Sequence, residues 1–207
     1  MLVCTVSSLR AQDINATTTF VSQNIWRGMY QTGGSIQPEI VVSYKNWETS
    51  IWGTTDFGME EKEIDIAVKY SWDDFSIGIT DYWFGNKTGV YGKNHIPEIN
   101  LSYSFPECHL AVGYNTILWG DDGNFSGYME ISYSPSWEEW DFDFTAGVTP
   151  WSNTMLDTGS FSISCLSSTI RRDVKFSGTY SPECSLSFIY NPNTDMLFWL
   201  AGVTFPF

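Results

Sequence analysis

The chain has 207 residues, with 24 Asp and Glu against 10 Lys and Arg, and a formal net charge of −14. That acid excess excludes a nucleic-acid backbone as partner, which needs clustered Lys and Arg. Only 16% of residues are charged and 17% are aromatic, against about a quarter charged in a soluble globular domain, and the longest apolar run, Met196 to Val203, falls far short of the roughly 18 residues of a membrane helix.

In chain order, residues 1–11, MLVCTVSSLRA, read as the remnant of an export signal. They are mostly apolar and end on the small residue Ala11, although the basic start of a full signal is missing. Residues 12–207 contain no linker or low-complexity stretch and read as one domain. Period-two alternation predicts strands near 15–26, 36–45, 48–57, 63–71, 75–84, 97–105, 108–119, 125–134, 139–149, within 160–180, 183–191 and 195–207. The pattern is cleanest at 63–70. There Ile64, Ile66, Val68 and Tyr70 form one face, and Glu63, Asp65, Ala67 and Lys69 the other. Arg171-Arg172 interrupts the tenth segment, so part of it is expected to be loop. Asp81 shares the parity of Ile77 and Ile79, which predicts a bulge beside it.

Five of the connections are short and follow a tyrosine: Tyr44, Tyr70, Tyr103, Tyr133 and Tyr180. The others are mostly longer and carry Gly, Asn and Asp. A second set of aromatics, among them Trp26, Phe57, Trp83, Trp119, Trp151 and Tyr190, marks the opposite strand ends, and the last strand ends on Phe207. Short turns on one side, long loops on the other and an aromatic at each strand end are the pattern of a transmembrane β-barrel. Such closure is also the one way for strands to satisfy their backbone groups in lipid. The fold expected is therefore an all-β, antiparallel, up-and-down barrel of about twelve strands in the bacterial outer membrane. An even count puts both termini on the periplasmic side, and outer-membrane lipid is the main partner.

Several stretches resemble a known family. They are N-I-W-R-G-M-Y-Q-T-G-G at the end of the first strand, P-E-I at 38–40, W-G-T-T-D-F at 52–57, E-I-D-I-A-V-K-Y at 63–70 and F-I-Y-N-P-N-T-D-M-L-F-W-L-A-G-V-T-F near the end. Together they are similar to the Gcw_chp family, also known as TorF-like porins. That resemblance implies an outer-membrane barrel without catalytic residues.

The faces opposite the tyrosines carry acids. Glu39, Asp65 and Glu98 each lie five residues before a tyrosine, hence on the other face. Asp56, Glu63, Glu130, Asp141 and Asp143 share that inward face. A carboxylate-rich lumen attracts cations, which predicts a porin or channel for small polar or cationic solutes. Arg27 is expected to fold inward onto Glu39 or Asp56. The alternative is a plugged barrel, its charges paired with Lys45 and Lys69, serving as an adhesin or a subunit of an envelope complex; a homo-oligomer is compatible with either. The two histidines, His95 in a loop and His109 at a strand start, lie in no catalytic motif, and there is no Gly-x-Ser-x-Gly elbow. No enzyme, cofactor or metal site is expected. Beyond Cys4 in the signal, Cys108, Cys165 and Cys184 are expected to stay unpaired.

Overall fold

The computed structural model describes residues 13–85, 95–120, 125–176, 178 and 180–207; the expected signal, including Cys4, lies outside them. The elements are β1 (Asp13–Val21), β2 (Asn24–Trp26), β3 (Met29–Thr32), β4 (Ser35–Tyr44), β5 (Trp47–Asp56), β6 (Lys62–Trp72), β7 (Phe75–Gly85), β8 (His95–Phe105), β9 (Leu110–Ile117), β10 (Gly127–Tyr133), β11 (Ser136–Trp137), β12 (Trp140–Thr149), β13 (Ser162–Asp173), β14 (Glu183–Asn191) and β15 (Met196–Pro206). β1 pairs with β4 on one side and β15 on the other, each later strand pairs with its neighbour, and β10 joins β12 directly. The sheet is thereby closed. Twelve antiparallel strands form the ring, two-residue β11 hangs on β12, and β2 with β3 forms a separate hairpin.

Alternation decides which face meets which solvent. Ile40, Val42, Ile51, Ile64, Val68, Ile77, Ile79, Ile131, Phe144, Leu186, Phe188 and Trp199 all point outward and are exposed. A soluble barrel would bury these side chains, so an exposed apolar belt of this extent belongs against hydrocarbon. No helix among the described residues is long and apolar enough to cross a membrane.

At the short-turn end the outward aromatics form a girdle. Trp47 packs on Tyr70 at 4.9 Å, Trp72 on Phe75 at 4.5 Å and Tyr103 on Phe105 at 4.8 Å between ring centroids. Turns of two residues close β4–β5 and β6–β7, and their first residues, Lys45 and Asp73, take positive φ of 54° and 48°. That backbone sense matches the right-handed twist of the flanking strands. Asp13 opposes Ser43 and Pro206 opposes Thr17, so the described ends of the chain lie at this same rim.

The structure departs from the sequence reading in three places. The first strand stops at Val21, and Asn24 to Thr32 leave the wall as the hairpin. β13 runs unbroken through Arg171 and Arg172, because Arg171 points inward toward Asp143 while Arg172 points outward over the Trp140 ring and pairs with Glu139. The register around Asp81 carries no bulge: Asp81 opposes Ile66 and Pro97 in continuous ladders and faces outward. His95, the first residue of β8 and not a loop residue, meets it with Nδ1 at 2.7 Å from the carboxylate. A polar partner at hydrogen-bond distance supplies what a bulge was expected to supply.

Candidate functional site

The register places every acid expected in the lumen on the inner face: Glu39 on β4, Asp56 at the end of β5, Glu63 and Asp65 on β6, Glu98 on β8, Glu130 on β10, and Asp141 and Asp143 on β12. Their surroundings differ. Asp56 accepts hydrogen bonds from the backbone N–H groups of Gly58, Glu60 and Glu61, at 2.8 to 2.9 Å, and so caps its own loop. Asp141 accepts from Ser136, and Asp143 accepts from Ser134 and Thr145 with Arg171 3.5 Å away. Lys69 pairs with Glu48 at 2.7 Å, whereas Lys45 lies over the Tyr44 ring. Among the described residues no basic side chain forms an ion pair with Glu39, Glu63, Asp65 or Glu130.

The hairpin of β2 and β3 crosses the bore, and Arg27 occupies its turn. Arg27 binds neither Glu39 nor Asp56. Its Nη1 donates to Glu98 Oε2 at 2.6 Å and its Nη2 to Oε1 at 2.9 Å. The guanidinium is flanked by the Trp26 ring at 4.5 Å and the Tyr128 ring at 4.4 Å. Glu98 is fully buried, and it also accepts from the Tyr82 hydroxyl at 2.9 Å and from Asn100 at 2.8 Å. Asn100 in turn donates to Asn115 and accepts from Thr80, so the carboxylate is held from three strands, β7, β8 and β9. Such a fully bonded network makes a buried charge pair rigid.

The other side of the turn docks on the far wall. Gly28 has φ +83° and lies so close to β13 that a Cβ would stand 2.0 Å from the Ser164 carbonyl oxygen. Ser164 sits at the one register shift of the β12–β13 ladder, where a bulge bends the strand. Asn191 on β14 donates to the Gly28 carbonyl at 3.1 Å, and Tyr30 stacks on Phe198 of β15. β14 and β7 are six places apart in the twelve-strand ring, hence opposite one another. Trp26 meets Tyr82 of β7 edge-on at 5.7 Å. Around that contact Tyr82, Ile96 and Ile117 form an apolar cluster inside the barrel, with Trp26, Phe84 and Met155 packed on it. The hairpin thus touches β7, β8, β10, β13, β14 and β15. Among the described residues none of its hydrogen bonds, ion pairs or ring contacts reaches β4, β5 or β6.

Of the aromatics expected at the membrane boundaries, Trp26 is the clear correction, since it packs inside the bore. Tyr44, Tyr103 and Tyr133 are exposed on the outer wall, and Tyr70 faces outward between Trp47 and Trp72. Tyr180, Trp119 and Phe207 are exposed. Trp151 is exposed as well and donates its indole N–H to the Phe125 carbonyl at 2.9 Å. Trp83 has outward parity but is buried.

Sequence reasoning missed Tyr82, Tyr128, Asn100 and Asn191 as functional residues. All four share the inward parity of the acids, which was the available signal. Trp-Arg-Gly at 26–28 carried a turn signal that the alternation on either side masked.

No family model matches the chain, and no curated protein matches it. The resemblance to the Gcw_chp family therefore rests on the short motifs themselves. Among solved structures, the chain is similar to the NanC porin in a rhombohedral crystal form, at 10% identity over 93% of this chain and 98% of that one, with a TM-score of 0.47. It is also similar to two mutants of the Rh. blastica porin. One is 14% identical over 90% of this chain and 62% of that chain, with a TM-score of 0.39. The other is 13% identical over 92% and 73%, with a TM-score of 0.40. At these scores the likeness adds nothing to what the closed sheet itself establishes.

Proposed function

We propose that the protein is an outer-membrane channel that favours cations and passes small polar or cationic solutes, its short turns facing the periplasm. The observation that carries this reading is the asymmetry of the lumen. The hairpin is fastened to β7, β8, β10, β13, β14 and β15. The opposite arc, β4 to β6, carries Glu39, Glu63 and Asp65 with no ion-paired partner among the described residues. Unpaired carboxylates in a narrow bore focus a negative potential and enrich cations. Reversal potentials across a planar bilayer under a potassium chloride gradient test this: the expected sign is cation-selective, and an anion-selective sign overturns it.

A second reading is favoured by one observation, the apolar cluster that the hairpin forms inside the bore. In that reading the barrel is plugged and serves a structural or binding role, as an adhesin, an envelope-complex subunit or a homo-oligomer. Absence of conductance at any salt concentration, together with a stoichiometric partner on purification, would select it.

A further inference from the structure

Part of the free arc carries polar atoms that the protein leaves unsatisfied. On the inner face Glu39 opposes Trp52, and Trp52 opposes Asp65; one step toward the long-loop end, Thr54 opposes Glu63. Directly opposed side chains start with Cβ atoms about 4.5–5.5 Å apart, so these residues share one patch. Thr54 is only 9% exposed, and its Oγ1 has no hydrogen-bond partner. Asp65 Oδ1, beside it, is equally out of water's reach and equally unpartnered. A buried hydroxyl left unbonded loses its hydration with nothing in return, and a carboxylate oxygen loses more. Two orphan acceptors on adjacent strands, next to a second carboxylate, call for a donor that carries positive charge. Among the described residues the inward cations are engaged elsewhere: Arg27 by Glu98, Lys69 by Glu48 and Arg171 beside Asp143.

We infer that Trp52, Thr54, Glu63 and Asp65, with Glu39 at the edge, bind the primary ammonium group of an organic cation. The inference rests on the acidic-channel reading and names the solute class it would favour. A primary ammonium brings three N–H donors, enough for Thr54 Oγ1, Asp65 Oδ1 and the Glu63 carboxylate. Trp52 offers what the oxygens do not, an indole for the alkyl stem or the charge itself. A divalent metal fits less well: calcium takes six to eight oxygens and magnesium a near-ideal octahedron. Among the described residues no group of three Asp, Glu, His or Cys is placed to hold a metal. The orphan oxygens are shielded from solvent, so a ligand reaches them by parting the side chains that cover them.

The test is calorimetric titration of 1,4-diaminobutane into the detergent-solubilised barrel, with a heat-shifted gel band as the check on folding. Saturable binding is expected, about tenfold weaker in Asp65→Asn through loss of one charge-assisted hydrogen bond. Thr54→Val should weaken it too, and Glu107→Gln, at an exposed turn outside the lumen, should leave it unchanged. If Asp65→Asn loses its heat shift, Thr54→Val carries the test. Absence of saturable heat, an unchanged Asp65→Asn, or equal affinity for tetramethylammonium, which has no N–H donors, would overturn the inference. So would tighter calcium binding with the same residue dependence. Bilayer recordings on the same samples separate the two readings. Cation-selective current without diamine binding removes the site alone, whereas anion-selective or absent current removes the channel.

Discussion

Arg27 and Glu98 stand 71 residues apart in the chain and meet inside the barrel through two parallel hydrogen bonds of 2.6 and 2.9 Å. One sits in the turn of a hairpin, the other in the wall of β8, so the pair fastens a crossbar to its frame. A buried ion pair is weak evidence of net stability, since desolvation offsets much of the attraction, but removing one partner strands the other.

Arg27→Ala is therefore expected to cost about 3–5 kcal/mol, the usual penalty for leaving one buried charge uncompensated. It should also release the hairpin and raise single-channel conductance. The double variant Arg27→Ala with Glu98→Gln should recover part of the lost stability, because the stranded charge is gone. Thermal gel-shift curves report stability, and bilayer recordings report the bore.

Gly28→Ala should act from the other side of the crossbar. Its φ of +83° strains any L side chain, and the new Cβ would overlap the Ser164 carbonyl. The conformational cost is about 1–3 kcal/mol, met most simply by lifting the turn off β13. Limited proteolysis should find new cleavage between Asn24 and Thr32, while the β-sheet circular dichroism stays unchanged. A protected hairpin would contradict the docking described above.

The outward face gives a third prediction. Ile79→Lys should lower folding stability in lipid vesicles by about 2–4 kcal/mol, the measured range for a cation at mid-bilayer. Ser50→Lys, on the inner face of β5, should cost far less. Urea unfolding in vesicles measures both, and equal costs would mean that the two faces are not in different solvents.

Glu63→Gln combined with Asp65→Asn should reduce the preference for potassium over chloride, on the order of a few-fold, by weakening the field of the free arc. Neutralising Asp141, at the short-turn end and hydrogen-bonded to Ser136, should matter less. Reversal potentials in a salt gradient rank the variants. An unchanged ratio in the double variant would move the selectivity away from β6.

Much of the barrel was legible because a strand in a bilayer is a simple object. Ile64, Ile66 and Val68 against Glu63, Asp65 and Lys69 can face lipid and lumen in only one register, and a slip by one residue would put both acids and the lysine into hydrocarbon. The same rule explains two errors. Trp26 continued the alternation of the first segment and read as a rim aromatic, although it sits beside a turn that leaves the wall. Arg171-Arg172 read as an interruption of an over-long segment, yet consecutive strand residues point to opposite faces, one toward Asp143 and one toward Glu139.

The order of side chains along each strand was enough to determine the faces and the number of crossings, because both follow from a period of two residues. Which lumen groups meet was decided only by closing the ring. Closure brings β7 opposite β14 and gives the hairpin two walls to grip, so that Arg27 finds Glu98 and Asp65 has no ion-paired cation among the described residues. Contacts across a bore depend on the circumference and stagger of the whole sheet, and no local pattern in the chain encodes them.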